Sequence, residues 1–196
     1  MLVAPGEIDE RVLERHRLGD EPFLLCPGAT RDKKRLDRVL AGLARVVERR
    51  AGSLGLVVTG PETKDLQRAL GRASSAGLSR WISTLGEVPD SELASLMRLA
   101  ACVPALSDSE GFALPVLEAL SCGTPVVVPP GTAQSEVGGA EATLVDPDDP
   151  EALADAFLDA VATRERRRYA IAASVESRTW DRTAETIEAV WQELVQ

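Results

Sequence analysis

Residues 102–128 read CVPALSDSEGFALPVLEALSCGTPVVV and contain two short apolar runs on either side of a helical pattern. The runs at Cys102–Leu106 and Pro125–Val128 are nearly continuous in apolar residues, which is typical of strands buried on both faces. A helix is predicted from Pro115 to Ser121, with Gly123 just past its end, where glycine is common. Together these elements predict two parallel strands joined by a crossover helix.

The same alternation of strands and helices continues on both sides of this unit. Further strands are predicted over residues 23–26, 56–59, 81–83 and 143–145, and further helices over 36–47, 63–73, 90–97, 150–161, 165–175 and 181–194. Asp90 is expected to be the N-cap of its helix. The pattern predicts an α/β fold in which about six parallel strands form a doubly wound sheet covered by helices on both faces.

Length and charge limit the classes of protein that fit. The 196 residues predict one compact domain, and 22 basic against 31 acidic residues give a net charge of −9. Such an acidic balance disfavours nucleic acid and anionic membranes as partners, because both need a cationic surface. We expect residues 1–20 to be a lead-in segment and residues 21–196 to be the folded domain.

No targeting or membrane-spanning segment is expected. The N-terminus lacks a basic region followed by an apolar run, and no stretch approaches the roughly 20 apolar residues of a membrane helix. Cys26, Cys102 and Cys122 are expected to be buried, reduced thiols, and His16, the one histidine, is expected on the surface. With one histidine no ordinary zinc site can form. We therefore predict a cytoplasmic protein.

The loop at residues 107–115 is a candidate binding site, since ligands of open parallel sheets bind beyond the carboxyl ends of the strands. The N–H groups from Gly111 to Leu114 would point out of the positive end of the following helix. Gly111 would also let the backbone approach a ligand closely. Every helix start shares the first property, so an anion site and an ordinary helix start both remain open.

Two carboxylates bracket this loop, and both could accept hydrogen bonds from the hydroxyl groups of a polyol. Glu118 also has a purely structural interpretation, because a carboxylate is favourable in the first turn of a helix. A structural role is less natural for Glu110, which lies at a loop tip beside Gly111 and Phe112.

A basic cluster stands out in this acidic chain. Lys33 and Lys34 lie at a predicted helix start, where the helix dipole disfavours cations by up to about 1 kcal/mol each, and Arg31 and Arg35 flank them. A phosphate-binding loop and a solvated helix start are both compatible with this cluster.

Other nucleotide and catalytic classes lack their signatures. The sequence contains no G-x-G-x-x-G and no G-x-x-x-x-G-K, which argues against nicotinamide and P-loop nucleotide sites. A single histidine disfavours hydrolysis by a Ser-His-Asp or Cys-His system. A phosphoacceptor signalling domain of the same fold class would need clustered aspartates at strand ends, and Asp108 alone does not provide them.

Residues 110–127, EGFALPVLEALSCGTPVV, resemble the signature of the group 1 (family 4) retaining glycosyltransferases. That signature has two glutamates, here Glu110 and Glu118, around a Gly-Phe-Gly-Leu-Pro turn, followed by Ala-Cys-Gly-Thr-Pro-Val-Val. Other segments are similar to the family pattern as well: VAPGEID at 3–9, LGEVPDSEL at 85–93, SE at 135–136, LVDPDDPEAL at 144–153 and WDRTA at 180–184. The resemblance covers nearly the whole chain.

The resemblance implies a GT-B architecture, in which two Rossmann-like domains face each other across a cleft. This chain is similar to the C-terminal domain, which binds the nucleotide-sugar donor. No metal or other cofactor is implied. An N-terminal domain, or a separate subunit, would hold the acceptor.

The resemblance also implies a site for the donor. Lys34 would bind the diphosphate together with the backbone of the turn at 111–114, which consists of Gly111, Phe112, Ala113 and Leu114. Glu110 would contact hydroxyls of the transferred sugar and Glu118 those of the ribose, while the loop around Val88 would hold the nucleobase. Lys34 and Glu110 are the candidate catalytic residues.

Two departures from the family pattern imply weaker donor binding. Gly28 is followed by Ala29 where the family often has arginine, so that Arg31 or Lys33 would have to substitute. Ala113 stands where the family has the second glycine of its turn. Two functions therefore remain: the donor-binding half of a transferase, which alone would bind donor with little transfer, and an interaction module that pairs with an acceptor-side partner without transferring sugar.

Overall fold

The computed structural model describes residues 5–49 and 53–194. Within this part of the chain six strands and eight α-helices alternate. The strands are β1 (Phe23–Pro27), β2 (Gly55–Thr59), β3 (Ile82–Gly86), β4 (Val103–Pro104), β5 (Val126–Val128) and β6 (Ala142–Leu144). The helices are α1 (Glu7–His16), α2 (Leu36–Glu48), α3 (Lys64–Ser75), α4 (Asp90–Leu99), α5 (Leu114–Ser121), α6 (Ala133–Gly138), α7 (Pro150–Ser174) and α8 (Trp180–Leu194).

All strand pairs are parallel, and two three-stranded groups meet at one junction. β1 pairs with β2 and β2 with β3, while β5 pairs with both β4 and β6. A parallel bridge between Leu24 and Cys102 joins the groups, with the Leu25 N–H donating to the Cys102 carbonyl at 3.0 Å. The resulting order, β3-β2-β1-β4-β5-β6, is that of a Rossmann-like fold, in which the direction of winding reverses between β1 and β4.

Helices cover both faces of the sheet, as the apolar strands predict. One core layer contains Leu24 and Cys26 of β1 and is closed by α2, α3 and the first half of α7. The other contains Phe23 and Leu25 and is closed by α1, α4, α5, α6 and the end of α7. Successive residues of β1 thus point into opposite cores, which confirms the doubly wound α/β fold.

The prediction of two helices over 150–161 and 165–175 is wrong, because α7 is one continuous helix of 25 residues. The charged run at 164–168 interrupts the apolar pattern but not the helix. Arg168 is 1% exposed, and its guanidinium donates to the Arg98 carbonyl at 3.1 Å, as that of Arg164 does at 2.5 Å. Both guanidinium groups thus donate to a carbonyl at the C-terminus of α4, where cations are favourable.

Several boundaries differ from the prediction, and two helices, α1 and α6, were not predicted. The strand predicted at 81–83 is β3, which begins at Ile82 and continues to Gly86. Pro89 rather than Asp90 is the N-cap of α4, α5 begins at Leu114 rather than Pro115, and β4 is limited to two residues. The short helix α6 begins after Thr132, whose hydroxyl accepts from the Ser135 N–H at 3.3 Å. That reciprocal cap is visible in the sequence as two hydroxyl residues three positions apart.

The N-terminal segment contains α1, which packs on α4 through buried Val12 and an ion pair between Asp9 and Arg98 at 2.6 Å. His16 is not a free surface residue, since its side chain is 17% exposed and its Nε2 lies 2.7 Å from a carboxylate oxygen of Glu92. The domain boundary at residue 20 stays a prediction. Residues 3 and 4 of the segment at 3–9 lie outside the described part.

The cysteines are free thiols, and Cys26 and Cys102 are buried as expected, while Cys122 is half-buried. Burial raises the pKa of the Cys26 thiol to about 12. Among the described residues, no helix has both the length and the apolar character needed to cross a bilayer.

Candidate functional site

The candidate site lies at the carboxyl ends of β1 and β4, where the direction of winding reverses. The loop after β1 leads through a single 3₁₀ turn at Asp32–Lys34 into α2, and the loop after β4 leads into α5. The two loops touch directly, since the Asp108 N–H donates to the Lys33 carbonyl at 3.3 Å. Doubly wound sheets bind their ligands in the crevice at such a point.

Lys34 and Glu110 meet in this crevice. The Lys34 ammonium lies 2.6 Å from a carboxylate oxygen of Glu110, and the two side chains are only 22% and 15% exposed. Both line an open pocket, which Ala113 and Gln134 also line. The structure thus joins two residues that are 76 positions apart in the chain.

The environment keeps Glu110 ionised. Burial alone would raise the pKa of its carboxyl, but hydrogen bonds from Lys34 and Ser107, with the charges of Lys34 and Lys33, hold the pKa below its ordinary value. The site therefore holds a carboxylate that accepts hydrogen bonds beside an amine that donates them.

The first turn of α5 faces the same pocket. Its N-cap, Ala113, has a left-handed backbone with φ 69° and ψ 53°, a conformation that alanine rarely adopts. The helix's own hydrogen bonding starts with the Val116 N–H, which donates to the Ala113 carbonyl at 2.9 Å. The earlier N–H groups of a helix have no partner inside it and mark its positive end.

The remaining predicted residues surround this centre. Phe112 and Gly111 are exposed at the tip of the loop, and a Cβ added at Gly111 would meet only open space. Glu118 lies on α5, where desolvation and the charge of Asp90 raise the pKa of its carboxyl. Asp90 begins α4 directly after the loop that contains Val88, so its charge brings this loop into the neighbourhood of Glu118. The prediction that Glu118 lies in the first turn of its helix is wrong, because α5 begins at Leu114 and Glu118 is its fifth residue.

The residues of the predicted basic cluster do not all lie at the same pocket. Lys33 is exposed, yet it lies close enough for its charge to lower the pKa of Glu110. Arg31 lines a different pocket, between α2 and α3, together with Asp65 and Arg72. Arg31 therefore does not take the place of the missing arginine in the crevice beside Lys34.

An arginine of α2 that was not predicted joins the loop after β4 to the loop before α7. Arg38 donates to the Leu106 carbonyl at 3.0 Å, to Asp108 at 2.8 Å and to Asp148 at 2.9 Å. Arg35 adds a second bond to Asp108 at 2.9 Å. These contacts hold the loop that carries Glu110 against the start of α2.

Gln134 of α6 is a second residue that was not predicted. It is completely buried, and its amide nitrogen donates to the Ser107 carbonyl at 3.0 Å. Nothing in the sequence distinguishes it from the surface glutamines of other helices.

Among the described residues, no group of three His, Cys, Asp or Glu side chains is placed to hold a metal ion.

Comparison with known proteins shows the family to which this chain belongs. The family model for glycosyl transferases group 1 matches residues 9–176, which is most of the chain. The chain belongs to the group 1 glycosyl transferases. It is 30% identical over 185 residues to an O-antigen chain mannosyltransferase B from Escherichia coli, covering 91% of this chain and 48% of that protein.

A second relative agrees with this assignment, and a solved structure shares the fold. The group 1 chain is 30% identical over 180 residues to a GDP-mannose-dependent phosphatidylinositol monomannoside mannosyltransferase from Mycolicibacterium smegmatis, covering 87% of this chain and 46% of that one. The solved C-terminal domain of a group 1 family glycosyl transferase from Francisella tularensis superposes with a TM-score of 0.64 at 23% identity, covering 87% of this chain and 90% of that one. The chain thus spans about half the length of the curated relatives that it matches.

Proposed function

We propose that this group 1 domain binds the nucleotide-sugar donor of a retaining glycosyltransferase and supports transfer of the sugar to an acceptor held elsewhere. The observation that carries the proposal is the close contact between Lys34 and Glu110 in the crevice between β1 and β4, beside the first turn of α5. A cation and free backbone N–H groups suit a diphosphate, and an ionised carboxylate suits sugar hydroxyls.

During transfer, the donor's anomeric carbon takes the acceptor oxygen while the nucleoside diphosphate leaves. Negative charge grows on the leaving diphosphate, and Lys34 with the N–H groups of Ala113 and Leu114 would stabilise it. Glu110 would orient the sugar through its hydroxyls rather than attack it. Glu118 would hold the ribose, and the backbone around Val88 the base.

Mannose is the sugar to test first. Both curated relatives described above are mannosyltransferases, and one is named as GDP-mannose-dependent. GDP-mannose is therefore our first candidate donor.

We also propose that α8 docks onto the acceptor-side half, present either as a domain or as a separate subunit. None of its residues 180–194 is buried, and its large apolar side chains are exposed: Trp180 by 81%, Ile187 by 64% and Trp191 by 67%. Its other face carries the acidic residues Asp181, Glu185, Glu188 and Glu193. An exposed apolar face of this kind suits an apolar groove on a partner.

The alternative, an interaction module that does not transfer sugar, is favoured by Ala113. Where the family pattern has glycine, this chain places a methyl group on a left-handed backbone at the start of α5. This departure lies in the turn whose N–H groups would bind the diphosphate. Donor binding without transfer in the presence of the acceptor-side half would favour this alternative.

Isothermal titration calorimetry with GDP, UDP and their sugars tests the donor site. The wild type should bind one of the two nucleotides, and Lys34→Ala should weaken that binding tenfold or more, because a charged hydrogen bond to phosphate is lost. Lys64→Ala is the matched control, since Lys64 is an exposed lysine at the start of α3. Absence of binding by the wild type, or equal losses in the two variants, would contradict the proposal.

A further inference from the structure

Gln134 holds a buried acceptor with no partner. The side chain is completely buried in the sheet-facing side of α6, and its carbonyl oxygen, Oε1, makes no hydrogen bond to any described residue. The orientation of the amide follows from its neighbour: Ser107 presents a carbonyl, which can only accept, so the nitrogen must face it at 3.0 Å. Turning the amide would set two oxygens against each other.

A buried acceptor of this kind is uncommon in folded proteins, because leaving it without a donor destabilises the fold. Here it lines the same pocket as Lys34 and Glu110, and the bond to Ser107 fixes its position beside the loop that carries Glu110. The amide is thus positioned at the wall of that pocket, and its oxygen, which is closed off from solvent, has no partner among the described residues.

We infer that Gln134 is a specificity-determining residue, whose Oε1 accepts a hydrogen bond from one hydroxyl group of the transferred sugar. The inference rests on the proposed function and extends it from the diphosphate to the sugar. Phosphate oxygens are acceptors and would be repelled by a carbonyl oxygen, whereas a hydroxyl can donate to it. Gln134 and Glu110 together make the pocket a pair of acceptors that recognises hydroxyls, beside the cation that recognises phosphate.

Calorimetry with two ligands separates this role from a structural one. Gln134→Leu, of similar size, should weaken binding of GDP-mannose about tenfold and change binding of GDP less than twofold, because only the sugar loses a partner. Equal weakening of both ligands would assign Gln134 to loop structure and overturn the inference. Unchanged binding of both would overturn it as well.

Deoxy analogues of GDP-mannose give a second test on the folded wild type. For the wild type, the analogue that lacks the contacted hydroxyl should bind about tenfold more weakly than GDP-mannose. Gln134→Leu should bind that analogue and GDP-mannose equally well, whereas for the other analogues the effects of the substitution and of the missing hydroxyl should add. If every position stays additive, Gln134 contacts no hydroxyl. If the wild type binds none of GDP, UDP and their sugars, the proposed donor site fails together with this inference, whereas the other negative results leave the donor site intact.

Discussion

Ala113 combines two opposing contributions to stability at the start of α5. Its left-handed backbone costs about 1–2 kcal/mol relative to a relaxed alanine, while its methyl group is buried at 4% exposure in the core layer that α5 closes. Strain of this kind is often retained at ligand sites. Substitution of Ala113 therefore tests how the first turn of α5 is stabilised.

Replacing Ala113 by glycine should leave the free energy of unfolding within about 1 kcal/mol of the wild type. Relief of the strain offsets the lost methyl burial, about 0.8 kcal/mol, and the added freedom of the unfolded chain. Ala119→Gly is the matched control in the middle of the same helix, where no strain is relieved, and it should cost about 2 kcal/mol. Equal losses in urea unfolding would contradict the strain at Ala113.

The ion pair between Lys34 and Glu110 sets the titration of the carboxylate. In Lys34→Met the burial of Glu110 remains while its hydrogen bond and nearest charge are gone, so the pKa of Glu110 should rise. Lys33→Met, which removes only a charge, should raise it less. Carboxyl carbon NMR titrations of both variants measure this, and an unchanged pKa in Lys34→Met would show that the pair does not form.

The same pair makes stability depend on pH. Because the pKa of Glu110 is lower in the folded chain than its ordinary value of 4.5, the stabilisation is complete above that value. It is lost as the pH falls through the folded pKa. The stability difference between wild type and Glu110→Gln should therefore shrink below pH 4.5, and urea unfolding across this range measures it.

Single residues could be predicted where they break a local rule. Lys34 was noticeable as a cation at a helix start, and Glu110 as a carboxylate at a loop tip. Gln134 and Arg38 break no local rule, since each is an ordinary polar residue of a helix until the fold buries it. Arg31 was grouped with Lys34 by sequence distance, but the turn at Asp32–Lys34 directs the two toward different pockets.

At the scale of elements, α7 shows how buried arginines mislead a pattern of apolar residues. Periodicity counts Arg164 and Arg168 as surface residues, although both reach the end of α4. The strands were easier to predict, because β1, β2 and β5 are short, continuous apolar runs. The two-residue β4 was predicted too long, since the apolar run continues into Ala105, which lines the pocket, and Leu106, which packs in the core.

Proline at position 166 distinguishes one helix from two. In a continuous α7, Arg166→Pro removes a main-chain hydrogen bond and creates a clash, at a cost of about 3 kcal/mol. Arg166→Ala should change stability by less than about 0.5 kcal/mol, because the side chain is exposed. If thermal unfolding shows that the proline is tolerated, a break between two helices lies near residue 165.

For the molecule as a whole, the exposed apolar face of α8 is the feature that points beyond this chain. The alternation of strands and helices was sufficient to predict the doubly wound sheet. It carried no information about which helix would lack a core to cover, because α8 has the same amphipathic pattern as helices that do pack. That distinction depends on tertiary contacts alone.

The double substitution Ile187→Glu with Trp191→Glu should leave the unfolding free energy of this chain within about 0.5 kcal/mol, since neither side chain is buried. In the wild type, the fluorescence of Trp191 should be quenched freely by acrylamide. A loss of several kcal/mol in the double variant would mean that α8 packs on its own domain, and would contradict its role as a docking surface.

The central claim is that the crevice between β1 and β4 binds the diphosphate of a nucleotide sugar. A crystal structure of this chain with GDP or UDP, whichever binds, tests it most directly. The account predicts phosphate oxygens within hydrogen-bond distance of the Lys34 ammonium and of the N–H groups at the start of α5. A nucleotide whose phosphates lie elsewhere, for example in the pocket beside Arg31, would contradict it.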